Sequence, residues 1–256
     1  MSKSIRRIIF AGIAAFAFCS ASLAQSTQQA GTAKPAAASA PAPVHDLSGV
    51  WNMRAAPAQR RVINYTFTAD PPELTPWAAE KHQNAKPSNG PRSHRLEDTD
   101  DPILKDCLPT GTPRIYLQPA PMEILQTPKE IIILYEHDHT VRQVFMDGRA
   151  HPADVIPTYM GHSIGSWEGD TLVVDTVGFN DKTWLDRDGR PHSDQLHVIE
   201  RFHRVDRDNM TIDLTMEDPK ALLKPWKVQL YFQYKPDWVL MEQDCTDNSS
   251  FAGFEK

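Results

Sequence analysis

The chain has 256 residues, of which 27 are Lys or Arg and 33 are Asp or Glu, so its net charge is −6 with histidine neutral. This excess of acid gives no electrostatic attraction to nucleic acid or to an anionic membrane surface, and both are excluded as partners.

The first 24 residues have the three parts of a secretory signal peptide. Lys3, Arg6 and Arg7 form a basic start, an apolar run covers residues 8–18, and small residues lead to a predicted cleavage after Ala24. The apolar run is too short to anchor the chain in a bilayer. Removing the three basic residues changes the net charge from −6 to −9. We therefore predict a periplasmic or secreted protein without membrane insertion.

Residues 25–45 form a low-complexity leader with one branched apolar side chain. Such a segment buries too little apolar surface to offset the entropy of ordering, so we predict a flexible leader. Residues 46–256 contain no further low-complexity break and are predicted to form a single domain.

The next region, residues 68–121, is rich in proline and charge and is predicted to form long irregular loops around the fold. Helix signals are few: Thr75–Pro76 is a predicted cap and first residue, and Asp218–Pro219 is predicted to open a single turn.

The second half of the chain shows the period-two alternation of β-strands. Two strands are predicted on either side of residues 137–139. Further strands are predicted at 171–179, 196–205, 210–216, 226–234 and 238–244. Short connections favour antiparallel neighbours. The predicted fold is mainly β, an antiparallel meander that forms a lipocalin-like barrel or a sandwich, with few short helices.

Cys107 and Cys245 are the cysteines that remain after signal cleavage. Because two free thiols are rarely retained in an oxidising compartment, we predict a disulfide that ties an early loop to the last strand.

Residues 161–165 read Gly-His-Ser-Ile-Gly, which has the spacing of the α/β-hydrolase nucleophile elbow. That elbow needs a helix directly after the serine, whereas a hairpin turn follows Ser163. We therefore interpret the glycines as bends or as places of close backbone approach. The chain order Ser163, Asp194, His197 matches that of hydrolases, so a serine hydrolase remains an alternative.

The densest polar stretch runs from residue 189 to residue 203. If a strand begins by Leu196, then His192, Asp194 and Glu200 share one face with large apolar residues. Carboxylate and imidazole groups among apolar neighbours are suited to general acid and base catalysis. The alternative is that His192 and Asp194 lie in a solvated loop while Glu200 pairs with an arginine.

For catalysis, we assign Glu200 or Asp194 as the base. His192 and His162 would transfer or stabilise protons, and Arg201 would hold an anionic group or orient a carboxylate. For substrate binding, the predicted residues are four aromatic side chains that could line a pocket at the barrel mouth: Trp167, Tyr135, Phe202 and Tyr231.

The predicted catalytic residues include suitable ligands for a divalent metal, namely His162, His192, Asp194 and Glu200. No spacing such as His-Glu-x-x-His is present. The prediction is therefore no organic cofactor and no metal site, with a divalent metal kept as an alternative.

Residues 161–174 read Gly-His-Ser-Ile-Gly-Ser-Trp-Glu-Gly-Asp-Thr-Leu-Val-Val. This run is accompanied by stretches at 147–152, 191–193, 200–201, 218–219 and 242–245. Together they resemble an uncharacterised, widespread family of exported bacterial proteins. The likeness covers about residues 107–248, implies export and brings no catalytic residues. Gly49 and Trp51 before a strand are similar to the opening of lipocalin-type barrels.

These observations lead to one hypothesis and two alternatives. The hypothesis is a cofactor-independent lyase, hydratase or hydrolase that acts on a small apolar, aromatic or sugar-derived molecule. The first alternative is a non-catalytic, lipocalin-like carrier of a small molecule. The second is a serine hydrolase that uses Ser163.

Overall fold

The computed structural model describes residues 45–58 and 65–245. The predicted signal peptide, and the predicted leader up to residue 44, lie outside the described residues. In the part of the chain that the structure describes, no helix combines the length and apolarity needed to cross a membrane.

Nine β-strands form a closed barrel. They are β1 Gly49–Arg54, β2 Met122–Gln126, β3 Glu130–Tyr135, β4 Val141–Phe145, β5 His162–Glu168, β6 Thr171–Val177, β7 His197–Arg204, β8 Asn209–Glu217 and β9 Trp226–Tyr234. Each strand pairs with the next along the chain, and β9 pairs with β1 to close the ring. The structure confirms the predicted mainly β fold, and it is a barrel.

One strand pair departs from the predicted antiparallel meander. β4 and β5 are parallel, with Val144 opposite Ser163 and Phe145 opposite Ile164. A parallel pair requires a connection of a dozen or more residues to return the chain to the same end of the sheet, and residues 146–161 provide it.

In the described residues of the long connection between β1 and β2 there are two short α-helices, α1 Pro76–Asn84 and α2 Pro102–Asp106. The Thr75 side chain accepts a hydrogen bond from the Ala78 N–H at 3.3 Å, so this predicted helix start is confirmed. Asp218 opens a turn, as predicted, and its carboxylate accepts the backbone N–H of Ala221 at 3.1 Å.

The predicted strand at residues 238–244 is wrong, because these residues have no strand structure. The pairing of β9 with β1 leaves β9 no free edge on that side. The predicted disulfide is confirmed: Cys107 and Cys245 are bonded, with their Cα atoms 5.7 Å apart. Cys245 follows the last barrel strand and does not lie in a strand, contrary to the prediction.

The barrel interior is filled by side chains that alternate along each strand. In β7, Val198, Glu200 and Phe202 are buried, whereas Ile199 and Arg201 between them are partly exposed. The apolar inward residues form one packed cluster that includes the fully buried Trp51. Burial of this surface supplies the main stabilising free energy of the fold.

A buried ion pair lies within this interior. Arg142 of β4 donates two hydrogen bonds to Glu200 of β7, one of them at 2.8 Å. The Tyr116 hydroxyl donates to the same carboxylate at 2.5 Å. Arg142 also donates to the hydroxyls of Ser163 at 3.1 Å and Thr176 at 2.9 Å. Burial, followed by the charge of Glu200, raises the pKa of Tyr116 well above its ordinary value, so the phenol keeps its proton.

We expect Glu200→Ala to lower the free energy of unfolding by about 3 to 5 kcal/mol, because Arg142 is left buried without its counter-charge. The double variant Arg142→Met, Glu200→Leu removes both charges and is expected to be more stable than the single variant. Urea unfolding measures both. The control is Arg201→Ala, which breaks a partly exposed pair with Glu168 and should cost less than about 1 kcal/mol. A Glu200→Ala cost as small as the control's would contradict the prediction.

The disulfide closes a loop of 138 residues. In the loop-entropy model such a closure contributes roughly 4 to 5 kcal/mol by restricting the unfolded chain. We therefore expect the Cys107→Ser, Cys245→Ser double variant to unfold at a markedly lower urea concentration than the wild type. Reducing the wild type should reproduce this shift, and adding reductant to the variant should have no effect.

Candidate active site

A small hairpin in the connection between β6 and β7 brings two polar side chains together. Trp184 and Pro191 form an isolated antiparallel bridge. Gly189 lies in the turn at φ +86°, a conformation that favours glycine. Thr183 and His192 flank the bridge and therefore lie opposite each other, as neighbouring pairs do in an antiparallel ladder.

The hairpin is held by charged side chains. Asp186 and Arg190 form a buried ion pair within it. Asp188 contacts Arg190 at 3.0 Å and also contacts His82 of α1 at 3.1 Å. Arg92 donates to the backbone carbonyl of Asp188 at 2.5 Å. These contacts tie the hairpin to the β1–β2 connection and fix the position of the two side chains that it presents.

The hydroxyl of Thr183 lies 2.9 Å from His192 Nε2. His192 Nδ1 lies 3.1 Å from the carbonyl oxygen of Ser193, which can only accept, so Nδ1 carries the proton. Burial lowers the pKa of His192 from its ordinary value of 6.5, which favours the neutral ring at neutral pH. A neutral ring protonated at Nδ1 has a free lone pair at Nε2. Thr183 is therefore the donor and His192 the acceptor.

The carbonyl that fixes the imidazole is itself held in place. Asp218, which is 2 % exposed, accepts the Ser193 N–H at 2.6 Å and the Ser193 hydroxyl at 2.8 Å. The turn predicted at Asp218 thus supports the segment that carries His192. The resulting chain of contacts runs from Asp218 through Ser193 to His192 and Thr183.

Thr183 and His192 line a cavity of about 550 Å³ between the hairpin and α1, which we call the loop pocket. Its apolar lining includes Trp77 and Trp184. Its polar lining includes Glu80, Lys81, Asn84, Asp100, Asp181 and Lys182. A cavity of this size suits a small molecule.

The structure does not bring the five predicted catalytic residues together. His192 lies in the loop pocket, Asp194 is exposed in a turn, and Glu200 is paired in the barrel interior. Arg201 lies on the outer wall and bonds Glu168 at 2.8 Å. The extension of the β7 face to His192 and Asp194 is wrong, because β7 begins only at His197.

His162 belongs to a second polar group, on the outside of the barrel. Its Nδ1 lies 2.8 Å from His151 Nδ1, and His151 Nε2 lies 2.8 Å from Asp175. Asp175 also contacts His197 Nε2 at 3.0 Å, and His197 Nδ1 lies 3.3 Å from Glu217. Strand β6 separates β5, which carries His162, from β7. This partly exposed row lies apart from the loop pocket lining.

The four predicted substrate-binding aromatics do not share one pocket. Tyr135 and Phe202 are buried in the barrel core. Trp167 stacks on His45 with ring centroids 4.6 Å apart. Tyr231 lies on the outer wall, where its hydroxyl donates to Gln229 at 2.6 Å.

The Gly-His-Ser-Ile-Gly run has a structural explanation. A Cβ at Gly161 would lie 2.9 Å from the Val177 carbonyl oxygen, and one at Gly165 would lie 2.9 Å from Val144 Cγ1. The predicted close approach of another backbone is confirmed at Gly161, whereas the near neighbours of Gly165 are side chains. Ser163 is 1 % exposed, and its hydroxyl contacts Arg142 Nε and the Thr176 hydroxyl, neither of which is a general base.

Within residues 45–58 and 65–245, no group of three or more His, Cys, Asp or Glu side chains is arranged to hold a metal ion.

Three residues of the loop pocket were not predicted from the sequence: Thr183, Trp77 and Trp184. The run Asp-Arg-Asp-Gly at residues 186–189 is typical of a turn, and a hairpin centred there places residue 183 opposite residue 192. The position of Trp77 depends on how α1 lies against the hairpin, and no local pattern encodes that contact.

Comparison with known protein families, with curated proteins and with solved structures finds no match. The resemblance to exported bacterial proteins therefore remains a prediction.

The lowered pKa of His192 predicts a pH dependence of stability. Below about pH 6.5 the unfolded histidine takes up a proton that the folded one resists, so this contribution to stability is lost as the pH falls. His192→Gln lacks this loss, and its stability deficit relative to the wild type should shrink between pH 7 and pH 5. Urea unfolding across this range measures the difference. Burial also lowers the pKa values of His137 and His162, but these are common to both proteins and cancel. A deficit that stays constant would contradict the prediction.

Proposed function

We propose that the protein is an enzyme that acts on a small molecule in the loop pocket through acid and base chemistry, without an organic cofactor. The observation that carries this proposal is the hydrogen bond from the Thr183 hydroxyl to the neutral His192 ring in the pocket wall. A hydroxyl bonded to the lone pair of an oriented imidazole is the arrangement of an activated nucleophile.

Among lyase, hydratase and hydrolase, this pair favours a hydrolase. His192 Nε2 removes the Thr183 proton as the oxygen attacks an acyl carbon, and then gives that proton to the leaving group. His192 then deprotonates a water molecule, whose oxygen attacks the acyl carbon. The same proton passes from His192 to the Thr183 oxygen as the acyl bond breaks, which releases the acid and restores Thr183. Asn84, Lys81 and Lys182 line the same cavity, and their side chains carry hydrogen-bond donors of the kind that stabilise a developing oxyanion.

The lining of the loop pocket supports a substrate with an apolar or aromatic part. Trp77 and Trp184 provide flat apolar surfaces. The lining carries two lysines and three carboxylates, and this near balance does not select a strongly charged molecule. The predicted small aromatic, apolar or sugar-derived substrate class is kept on this basis.

The carrier alternative gains no comparable support. A lipocalin-like carrier holds its ligand inside the barrel, whereas the inward side chains here pack against one another and surround the Arg142–Glu200 pair. For location, we keep the proposal of a periplasmic or secreted protein, which the disulfide and the signal-like first 24 residues support.

The proposal is tested by covalent labelling with an alkyl fluorophosphonate, followed by peptide mass spectrometry, and by hydrolysis of p-nitrophenyl esters of benzoate and acetate. We expect the label on Thr183 and measurable ester hydrolysis. Thr183→Val should abolish both, and His192→Gln should slow both by about a hundredfold or more, because the general base is lost. His203→Gln, which removes a histidine from the outer wall, should leave both rates unchanged.

Circular dichroism of each variant establishes that the barrel is folded. A label on Ser163 that is lost in Ser163→Ala would support the serine hydrolase alternative. A folded protein that shows neither a label on Thr183 nor ester hydrolysis sensitive to His192→Gln would refute the proposed chemistry.

A further inference from the structure

A second cavity, of about 520 Å³, lies between β4 and the segment that leads into β5. We call it the β4–β5 groove. Two residue pairs join these strands, whereas seven join β5 to β6. Just before β5, the chain bonds to other segments: the Thr158 N–H donates to the Gly178 carbonyl at 3.0 Å, and the Tyr159 carbonyl accepts the Thr112 N–H at 3.2 Å. The groove therefore opens where the pairing of the two strands ends, and it shares no lining residue with the loop pocket.

The wall of the β4–β5 groove is largely aromatic and apolar. Phe145, Tyr159 and Met160 line it together with His162. The His162 ring stacks on Phe145, with the ring centroids 5.3 Å apart and the ring planes inclined by 29°. Aromatic rings and thioethers make favourable contacts with an aromatic molecule. The wall is therefore suited to a flat ligand with an aromatic ring.

A chain of hydrogen bonds orients His162 and fixes its tautomer. His151 Nε2 lies 2.8 Å from Asp175, and His151 Nδ1 lies 2.8 Å from His162 Nδ1. Because a carboxylate can only accept, His151 donates through Nε2. A neutral His151 ring then has its lone pair at Nδ1, where it accepts the proton of His162 Nδ1. The lone pair of a neutral His162 ring is consequently at Nε2.

The surroundings of His162 favour this neutral ring. Burial lowers the pKa of His162, and the neighbouring His151 and Arg149 lower it further. The contact with His151 engages Nδ1 and leaves Nε2 for a hydrogen-bond donor that a ligand supplies. His162 thus offers the groove an acceptor that is held in one orientation.

The charged residues at the β4–β5 groove do not favour an anion. Arg142, which lines the groove, and Arg149, which lies beside Phe145, are each paired with a carboxylate. Asp138 adds a carboxylate to the lining, 3.2 Å from His137. An anionic ligand would meet compensated cations and a like charge. A neutral ligand that donates a hydrogen bond suits this lining better.

We propose that the β4–β5 groove binds a phenol, whose hydroxyl donates a hydrogen bond to His162 Nε2 and whose ring packs against the aromatic and apolar wall. His151 and Asp175 are positioning residues, because they hold the imidazole and its tautomer. This site goes beyond the proposed hydrolase function, since neither Thr183 nor His192 belongs to it.

The test compares phenol with anisole, its methyl ether, which has the same ring but cannot donate a hydrogen bond. Ligand-observed NMR titration of the disulfide-bonded protein gives the Kd of each. We expect phenol to bind saturably and about three- to tenfold more tightly than anisole, the effect of one hydrogen bond. His162→Phe keeps a ring beside Phe145 but has no acceptor, so it should remove the preference for phenol. His203→Phe makes the same replacement at a partly exposed histidine of β7 and should keep the preference.

Diethyl pyrocarbonate, which acylates the unprotonated nitrogen of an imidazole, locates the bound phenol. Peptide mass spectrometry follows the labelling of each histidine with time. Phenol at ten times its Kd should slow the labelling of His162 by about tenfold, because that is the expected fall in the unoccupied fraction. Labelling of His203 in the same sample is the internal control and should be unchanged.

Equal binding of phenol and anisole, or an undiminished preference for phenol in the folded His162→Phe variant, would overturn the proposal. Phenol binding that leaves the labelling of His162 unchanged would also overturn it, because the ligand would then lie elsewhere. If His162→Phe does not fold, the labelling of the wild type decides the question. None of these measurements involves ester hydrolysis, so this proposal and the catalytic one fail separately.

Discussion

The buried pair of Arg142 and Glu200 is the constraint on which the barrel depends. A charge removed from water is tolerated only when its partners are complete, and here they come from five parts of the chain. β4 and β7 supply the two charges, β5 and β6 supply the hydroxyls of Ser163 and Thr176, and the connection before β2 supplies Tyr116. The parallel step from β4 to β5 is part of this arrangement, because it places Ser163 opposite Val144, two residues from Arg142. The strands that form the barrel therefore also supply the hydrogen-bond partners of the buried Arg142 and Glu200.

Because side chains fill the barrel interior, the candidate catalytic residues lie in the loops. Connections outside the strands tolerate irregular backbone and can present reactive side chains on a rigid frame. The loop pocket is such a case, because the hairpin between β6 and β7 is held in place through contacts of Asp188 with His82 of α1 and with Arg92. The imidazole of His192 is oriented by the Ser193 carbonyl, and Asp218 in turn holds Ser193.

Much of the fold could be predicted from local pattern, whereas of the pair Thr183 and His192 only His192 could. The alternation in β7 correctly placed Val198, Glu200 and Phe202 inside, because side chains alternate strictly along a strand. The prediction that His192 and Asp194 continue this face is wrong, because both residues precede β7 and do not follow its alternation. A buried glutamate among apolar residues has the same sequence pattern whether it is a base or half of an ion pair. Its partner, Arg142, lies 58 positions earlier in the chain.

The sequence by itself determined the mainly β class, the barrel strands β6 to β9, the first helix start and the cysteine pair, because each depends on local periodicity, on capping chemistry or on the small number of cysteines. Only the tertiary structure decided the parallel step, the burial of Glu200 against Arg142, and the meeting of Thr183 with His192 beside Trp77. These features depend on contacts between segments distant in sequence, whose free energies depend on three-dimensional proximity and are not encoded in any short stretch of residues.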